Sequence, residues 1–364
     1  MAWIKKMDKK NKFFEVFNTK TGFYVRSGIL DENMKDTGVD PFCREYPALL
    51  DVGILGSCVH GQSGLCAKSG VQCYQNGANV NKPNMSLENF KKIIDESKGK
   101  VFQVALGGRG DVDMHENFEE ILQYCVDNNI VPNFTTSGLG LTPEKVEIIK
   151  NRIGSCAISF YRQPHTYKAI NMLLEAGIKT NIHYVLGNNS IDEAIDLLEN
   201  DGFTKGINAV VFLLHKNIGL GTKENVLKVD DPRVKKFYEM INREYSHKIG
   251  FDSCSVPALN TFANELDFTY VEPCESSCYS AYIDAQSNMY PCSFAIDSGD
   301  KWKIDLNTHT IQEAWDSEKF ESFRQLHKQG CGSGCRKCDK LAKNECRPCP
   351  IVPETAICYK CNVE

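Results

Sequence analysis

Nowhere in its 364 residues does the chain hold an unbroken apolar stretch approaching the roughly 18 residues of a membrane-spanning helix. Its basic opening, MAWIKKMDKKNK, has no apolar segment behind it and does not read as a secretory signal. A strong excess of one charge is missing as well. The 42 Lys and Arg against 47 Asp and Glu leave a net charge of −5, which points to neither a nucleic-acid nor a membrane partner. The opening lysines, Lys5, Lys6, Lys9, Lys10 and Lys12, read as a solvated end. These absences place the expected location in the cytoplasm, where thiols stay reduced. An even cysteine count is also lacking: 17 cysteines cannot pair completely within one chain. Metal binding is therefore a better reading of them than a disulfide framework.

What is present divides into three parts. Residues 1–47 form a lead-in, and the alternation in KFFEVFNTKTGFYVRSGIL around Asn18-Thr19-Lys20-Thr21-Gly22 predicts a hairpin. Over 48–253, β-rich runs at 49–55, 101–106, 130–137, 156–161, 179–186 and 208–215 alternate with amphipathic helices. Ser86, Thr142 followed by Pro143, and Ser190 with Glu193 mark helix starts, and Gly177 closes the helix at 164–176. Strict strand–helix alternation with right-handed crossovers implies an α/β fold, a partial (β/α)6 TIM-like barrel. Its functional end is the C-terminal edge of the strands. One parity of the strands collects Gln103, Asn133, Thr135, Ser137, Ser159, Tyr161, Asn181, His183 and His215, a polar set expected to face the lumen. From 254 to 364 the character changes, because eleven of the 17 cysteines lie there and long apolar runs do not. A segment so poor in core residues needs metal to fold.

Chemistry concentrates at the cysteines. Cys58, Cys66 and Cys73 follow the first barrel strand on one loop, and Gly107-Gly108 ends the next strand. Three thiolates can hold three irons of a [4Fe–4S] cluster and leave the fourth iron open to a small chelating molecule. In the tail, Cys274-x3-Cys278 and Cys292 precede Cys331-x3-Cys335-x2-Cys338-x7-Cys346-x2-Cys349-x8-Cys358-x2-Cys361. Taken alone, the Cys-x2-Cys pairs fit a zinc ribbon as well as iron–sulfur clusters, and the barrel upstream favours iron. Cys125, on the Phe118–Ile121–Leu122 stripe, and Cys156, opening a strand, read as buried apolar residues, and Cys43 has no evident partner.

Together these motifs resemble the radical S-adenosylmethionine (SAM) enzymes that carry a C-terminal SPASM domain for auxiliary iron–sulfur clusters, among them peptide- and protein-modifying maturases. The resemblance covers roughly residues 48–361. The family's cluster loop is Cys-x3-Cys-x2-Cys; here the spacing is x7 and x6, and Cys73-Tyr74 keeps the aromatic ending. LGGRGD resembles the family's Gly-Gly-Glu-Pro turn, with Gly107 and Gly108 kept, Arg109 and Gly110 in place of Glu-Pro, and Asp111 as a substitute carboxylate. By the same resemblance Ser137, Ser159 and Asn188 face SAM, and Leu213, Leu214 or His215 flank its adenine. CYSAYIDAQSNMYPC, a Trp-bearing helix and CRKCDKLAKNECRPC follow the SPASM order, with Ser287 where glycine is usual. The family topology assigns Cys274, Cys278, Cys292 and Cys349 to one auxiliary cluster, and Cys335, Cys338, Cys346 with Cys358 or Cys361 to a second. Cys254 and Cys331 are left over.

The resemblance implies reductive cleavage of SAM to a 5′-deoxyadenosyl radical that abstracts hydrogen from a peptide or protein substrate. It also implies a flavodoxin- or ferredoxin-type electron donor. Asp297, shortly after Cys292, is a candidate general base. The rival readings are a small-molecule radical SAM enzyme and a non-catalytic iron–sulfur electron carrier.

Overall fold

The computed structural model describes residues 3–263 and 265–361. Its N-terminal part is more ordered than its composition implied. β1 (Trp3–Asp8), β2 (Phe13–Asn18) and β3 (Tyr24–Arg26) form an antiparallel sheet, and the hairpin expected around Asn18 turns through Gly22 at φ +74°. Lys6 does not belong to a solvated end. It lies 4.1 Å from the centroid of the Phe102 ring, and burial lowers its ammonium to about 8. Glu15 of β2 makes a buried ion pair with Arg44. The Trp315 indole donates to the Arg44 carbonyl at 3.0 Å, which ties the lead-in to the tail.

The barrel strands are β4 (Leu49–Leu55), β5 (Gln103–Gly108), β6 (Val131–Thr136), β7 (Cys156–Ser159), β8 (Thr180–Leu186) and β9 (Ala209–Leu214). They pair in sequence order and in parallel, as strand–helix alternation requires. Helices cover the outer face. The one over Leu87–Ser97 buries Phe90, Ile93 and Ile94, each such side chain contributing about 1.5–3 kcal/mol. Ser86 caps it by accepting from the Asn89 amide, and Thr142 does the same from Lys145. Ser190 forms no such cap: its hydroxyl turns back to the Gly187 amide and the Val185 carbonyl, while Glu193 binds Arg162 and Tyr184.

The sheet extends past the six strands at both ends. β10 (Lys248–Phe251) adds in parallel to β9. On the opposite side β11 (Ser280–Ile283) adds in parallel to β4, followed antiparallel by β12 (Asn288–Tyr290) and β13 (Ile304–Asp305). The aromatic hairpin of the tail thus continues the sheet of the barrel, which carries cysteines of the tail to the barrel wall. Among the described residues no helix is long and apolar enough to cross a membrane.

Candidate functional site

The three loop cysteines come together although their spacing is long. Cys58 caps the helical turn Val59–Ser63, its sulfur accepting from the Gly61 amide at 3.3 Å; Gly64, at φ +73°, then leads into a second turn, Leu65–Lys68, that carries Cys66. Two short turns absorb the inserted residues. Cys73 returns to the start of the loop through Gly77, where an added methyl would lie 3.5 Å from the Cys73 sulfur and 3.6 Å from that of Cys58. Cys66 lies close enough to feel the charge of both, and burial pushes its thiol up to about 11. All three thiols are free. An all-sulfur donor set of this kind suits iron–sulfur chemistry and not a hard cation.

Beside the loop is a buried polar cluster. Asp111 accepts from the Ser137 amide (2.8 Å) and hydroxyl (2.5 Å), and it meets His60 Nε2 at 2.7 Å. Burial opposes its charge, but the bond to His60 and those to Ser137 hold its carboxyl below the usual range. Asp111 thus ties the cysteine loop, through His60, to the end of β6. Arg109 is elsewhere: its guanidinium donates to the Gln75 and Gly56 carbonyls and so braces the backbone just after Cys73-Tyr74. The two glycines of the turn also differ. Gly107 shares the lumen-facing parity of Gln103 and Ala105, and a Cβ there would meet nothing within 4 Å. Gly108, at φ +87°, is packed, since a Cβ would lie 2.9 Å from the Tyr282 hydroxyl and 3.1 Å from the Gly53 Cα.

The polar parity of the strands has two fates. Gln103 and Asn133 bond each other at 3.0 Å, and Asn181 accepts from Asn208 at 2.7 Å, so these groups satisfy one another. Ser159 ends β7 on the half-buried parity, and the Tyr161 hydroxyl reaches the Cys66 sulfur at 3.4 Å. His183 is held neutral, because burial lowers it to about 4. Tyr74 packs on Phe294 with ring centroids 4.8 Å apart. Asn188 accepts from Arg233 at 2.5 Å and lines a surface cleft with Glu224 and Asp231. Leu214 points into the apolar core, while Leu213 and His215 carry the opposite parity. Asp297 is exposed, after the turn Ser293–Ala295. The sequence reading missed Asp51, on the half-buried parity of β4 opposite Tyr282, whose carboxyl burial pushes up to about 7. Its place within the apolar run LLDVGIL concealed it.

The tail cysteines form two groups. Cys335, Cys338, Cys346 and Cys358 are mutual neighbours. Cys361 is bonded to Cys331 in a disulfide whose sulfurs lie within 4.8 Å of Cys335, so Cys358 is the free thiol of the Cys358/Cys361 alternative. The preference for metal binding over a disulfide framework does not extend to this pair. In the other group Cys274, Cys292 and Cys349 are neighbours. Cys278 is fully buried with Phe13 and Tyr279, against Cys43 and Phe42.

Residues 274–339 match SPASM, an iron–sulfur cluster-binding domain. Mycofactocin maturase MftC of Mycolicibacterium smegmatis is 25% identical over 170 residues, which are 46% of this chain and 38% of that protein. The match thus spans well under half of that relative's length. SuiB of Streptococcus suis bound to S-adenosylmethionine has the same fold, with a TM-score of 0.70 at 14% identity over 100% of this chain and 99% of that one. Native anSMEcpe with bound AdoMet gives 0.56 at 13% identity, covering 82% and 88% of the two chains.

Proposed function

We propose that this chain, which joins the fold of radical SAM enzymes to a SPASM iron–sulfur domain, is an oxidoreductase that modifies a peptide or protein side chain by hydrogen abstraction, leaving a crosslink or an oxidised residue. The observation that carries this reading is the convergence of three free thiols and a lumen-facing glycine at the C-terminal edge of the parallel strands. When bound, the first cluster and SAM supply the 5′-deoxyadenosyl radical that ordinary acid–base side chains cannot provide.

The chain's own residues hold and orient. Cys58, Cys66 and Cys73 would ligate the first cluster, and Gly107 leaves room for the methionine end of SAM. Asp111, Ser137 and His60 fix the loop against β6. Neutral His183 adds no positive charge to the lumen. Asp51, with its carboxyl near 7, can take up or release a proton there at neutral pH.

A peptide substrate is supported by the likeness in fold to SuiB, which has been solved bound to its precursor peptide SuiA, with a TM-score of 0.71 at 14% identity. The maturase named among the sequence relatives points the same way. Electrons would come from a flavodoxin- or ferredoxin-type donor in the cytoplasm. An electron carrier would need the clusters but no lumen glycine. The test is anaerobic incubation of reconstituted protein with SAM, dithionite and peptides encoded beside its gene, read by mass spectrometry. 5′-Deoxyadenosine together with a peptide lighter by two hydrogens supports the proposal. SAM cleavage with no peptide changed, and a small molecule altered instead, favours the small-molecule reading.

A further inference from the structure

Cys254 lies outside the residues that match the SPASM domain and twenty residues before the first tail cysteine of that match. It stands in the short turn Ser253–Ser255 that follows β10, so it belongs to the barrel wall. That turn is fixed by Asp252, which accepts from the Leu214 amide at 3.1 Å and from the Ser255 hydroxyl at 3.0 Å. The helix that follows, Val256–Phe262, lies against the end of the tail: Thr261 donates to the Ile357 carbonyl at 3.5 Å, and Phe262 meets Tyr359 with ring centroids 6.2 Å apart. These contacts bring the Cys254 sulfur beside that of Cys349. Cys349 in turn neighbours Cys274 and Cys292.

A second observation points to an anion at the same place. Lys216, just past β9, is 3% exposed, and its ammonium has no hydrogen-bond acceptor at normal range. It lies 4.9 Å from the Phe294 ring centroid, two residues beyond Cys292, and the groups that face it are Cys254, Cys349 and Asp252. A buried ammonium that makes no hydrogen bond is costly unless anions balance it, and besides the Asp252 carboxyl the groups on offer are the two cysteine sulfurs. A thiolate-ligated iron–sulfur cluster is such an anion.

We propose that Cys254 of the barrel, with Cys274, Cys292 and Cys349, ligates the first auxiliary cluster, that Cys278 does not, and that Lys216 is the buried counter-cation of that cluster. The cluster then staples the last barrel strand to the tail. The environment of Cys278 agrees with this: although Cys274 is within electrostatic reach, its thiol is fully buried on the Phe13 and Tyr279 rings beside Cys43, with Arg347 and Arg324 also acting on it. The inference rests on the iron–sulfur reading of the tail, and the experiment separates the two.

Full-length protein, reconstituted anaerobically with iron and sulfide, is compared with its Cys254→Ala and Cys278→Ala variants by iron and sulfide analysis and by EPR. The wild type should carry about twelve irons. Cys254→Ala should lose up to one cluster's iron or convert that cluster to a three-iron form seen in the oxidised EPR spectrum, while Cys278→Ala should match the wild type. The reverse pattern would overturn the ligand assignment. A wild type with about four irons and bound zinc would overturn the iron–sulfur reading of the tail, and this proposal with it. In a potentiometric EPR titration Lys216→Met should keep its iron and shift one tail cluster to a more negative potential, because the cation that stabilises the reduced state is gone. Lys216→Arg should restore the potential. An unshifted potential in Lys216→Met would remove the counter-cation role.

Discussion

Replacing Gly107 by alanine separates the room proposed for SAM from the packing of the protein. No protein atom lies within 4 Å of a Cβ at this position, and its φ is outside the left-handed region. The substitution should therefore change folding stability by no more than about 0.5–1 kcal/mol, with a small gain from the reduced freedom of the unfolded chain. If the methionine end of SAM lies against this backbone, one added methyl crowds it by about 1–3 kcal/mol, the usual cost of overpacking. SAM affinity should then fall roughly 5- to 150-fold. Gly108→Ala makes the contrast. At φ +87° the left-handed backbone costs about 1–2 kcal/mol, and the contacts with the Tyr282 hydroxyl at 2.9 Å and the Gly53 Cα at 3.1 Å add about 1–3 kcal/mol. That variant should unfold at a lower temperature, and Tyr282→Phe in the same chain should recover part of the loss by removing the nearest atom. Isothermal calorimetry with SAM and thermal unfolding, both on anaerobically reconstituted protein, read the two effects separately. Wild-type SAM affinity in a normally stable Gly107→Ala variant would refute the placement.

Further outcomes follow from the same geometry. Alanine at Cys58, Cys66 and Cys73 together should abolish 5′-deoxyadenosine formation while iron bound by the tail persists, as chromatography and iron analysis will register; undiminished SAM cleavage would reject the loop as the catalytic cluster site. Asp111→Asn removes the charge that receives two bonds from Ser137 and meets His60, bonds worth about 1.5–3 kcal/mol each, so iron should be lost from the first cluster and not from the tail. Equal iron loss from all sites would show a global and not a local effect. Arg44→Met strands Glu15 in the interior and should cost about 3–5 kcal/mol, read by denaturant unfolding; adding Glu15→Leu should return much of it, since the unpaired charge is what destabilises.

The barrel was legible because its signals are local. Runs of Val, Ile, Leu and Phe bounded by Gly or Asn marked β4 to β9 to within about two residues, and the parity that placed Thr135, Ser159 and His183 toward the lumen matches the half-buried positions. Elements whose partners are distant were not legible. β1 looked like a charged end because WIKKMD alternates weakly, and only its pairing with β2 makes it a strand. The addition of β11 to β4 joins residues more than 200 positions apart, and no local pattern announces it. Arg109 illustrates the same limit. Its place in the Gly-Gly turn gave no sign of its partners, which are two backbone carbonyls that the fold brings to it from the cysteine loop and the end of β4.

The cysteine loop shows why a departure in spacing need not move a site. A [4Fe–4S] cluster constrains where three sulfurs lie in space, and chain length between them matters only through the conformations it permits. Here Gly64 at φ +73° lets the first helical turn stop and a second begin, so the extra residues coil and do not push Cys66 outward. Gly77 admits the return of the chain to within van der Waals reach of Cys58 and Cys73. Gly219, where a Cβ would lie 2.4 Å from the Tyr74 carbonyl oxygen, lets the segment after β9 press Cys73 into place. Gly64 supplies a left-handed turn, Gly77 a close approach to the Cys58 side chain, and Gly219 a contact that a Cβ would block. The determinants of the site are therefore the three thiols and the glycines that let their backbones meet, and the x7 and x6 spacing is a consequence of the path between them.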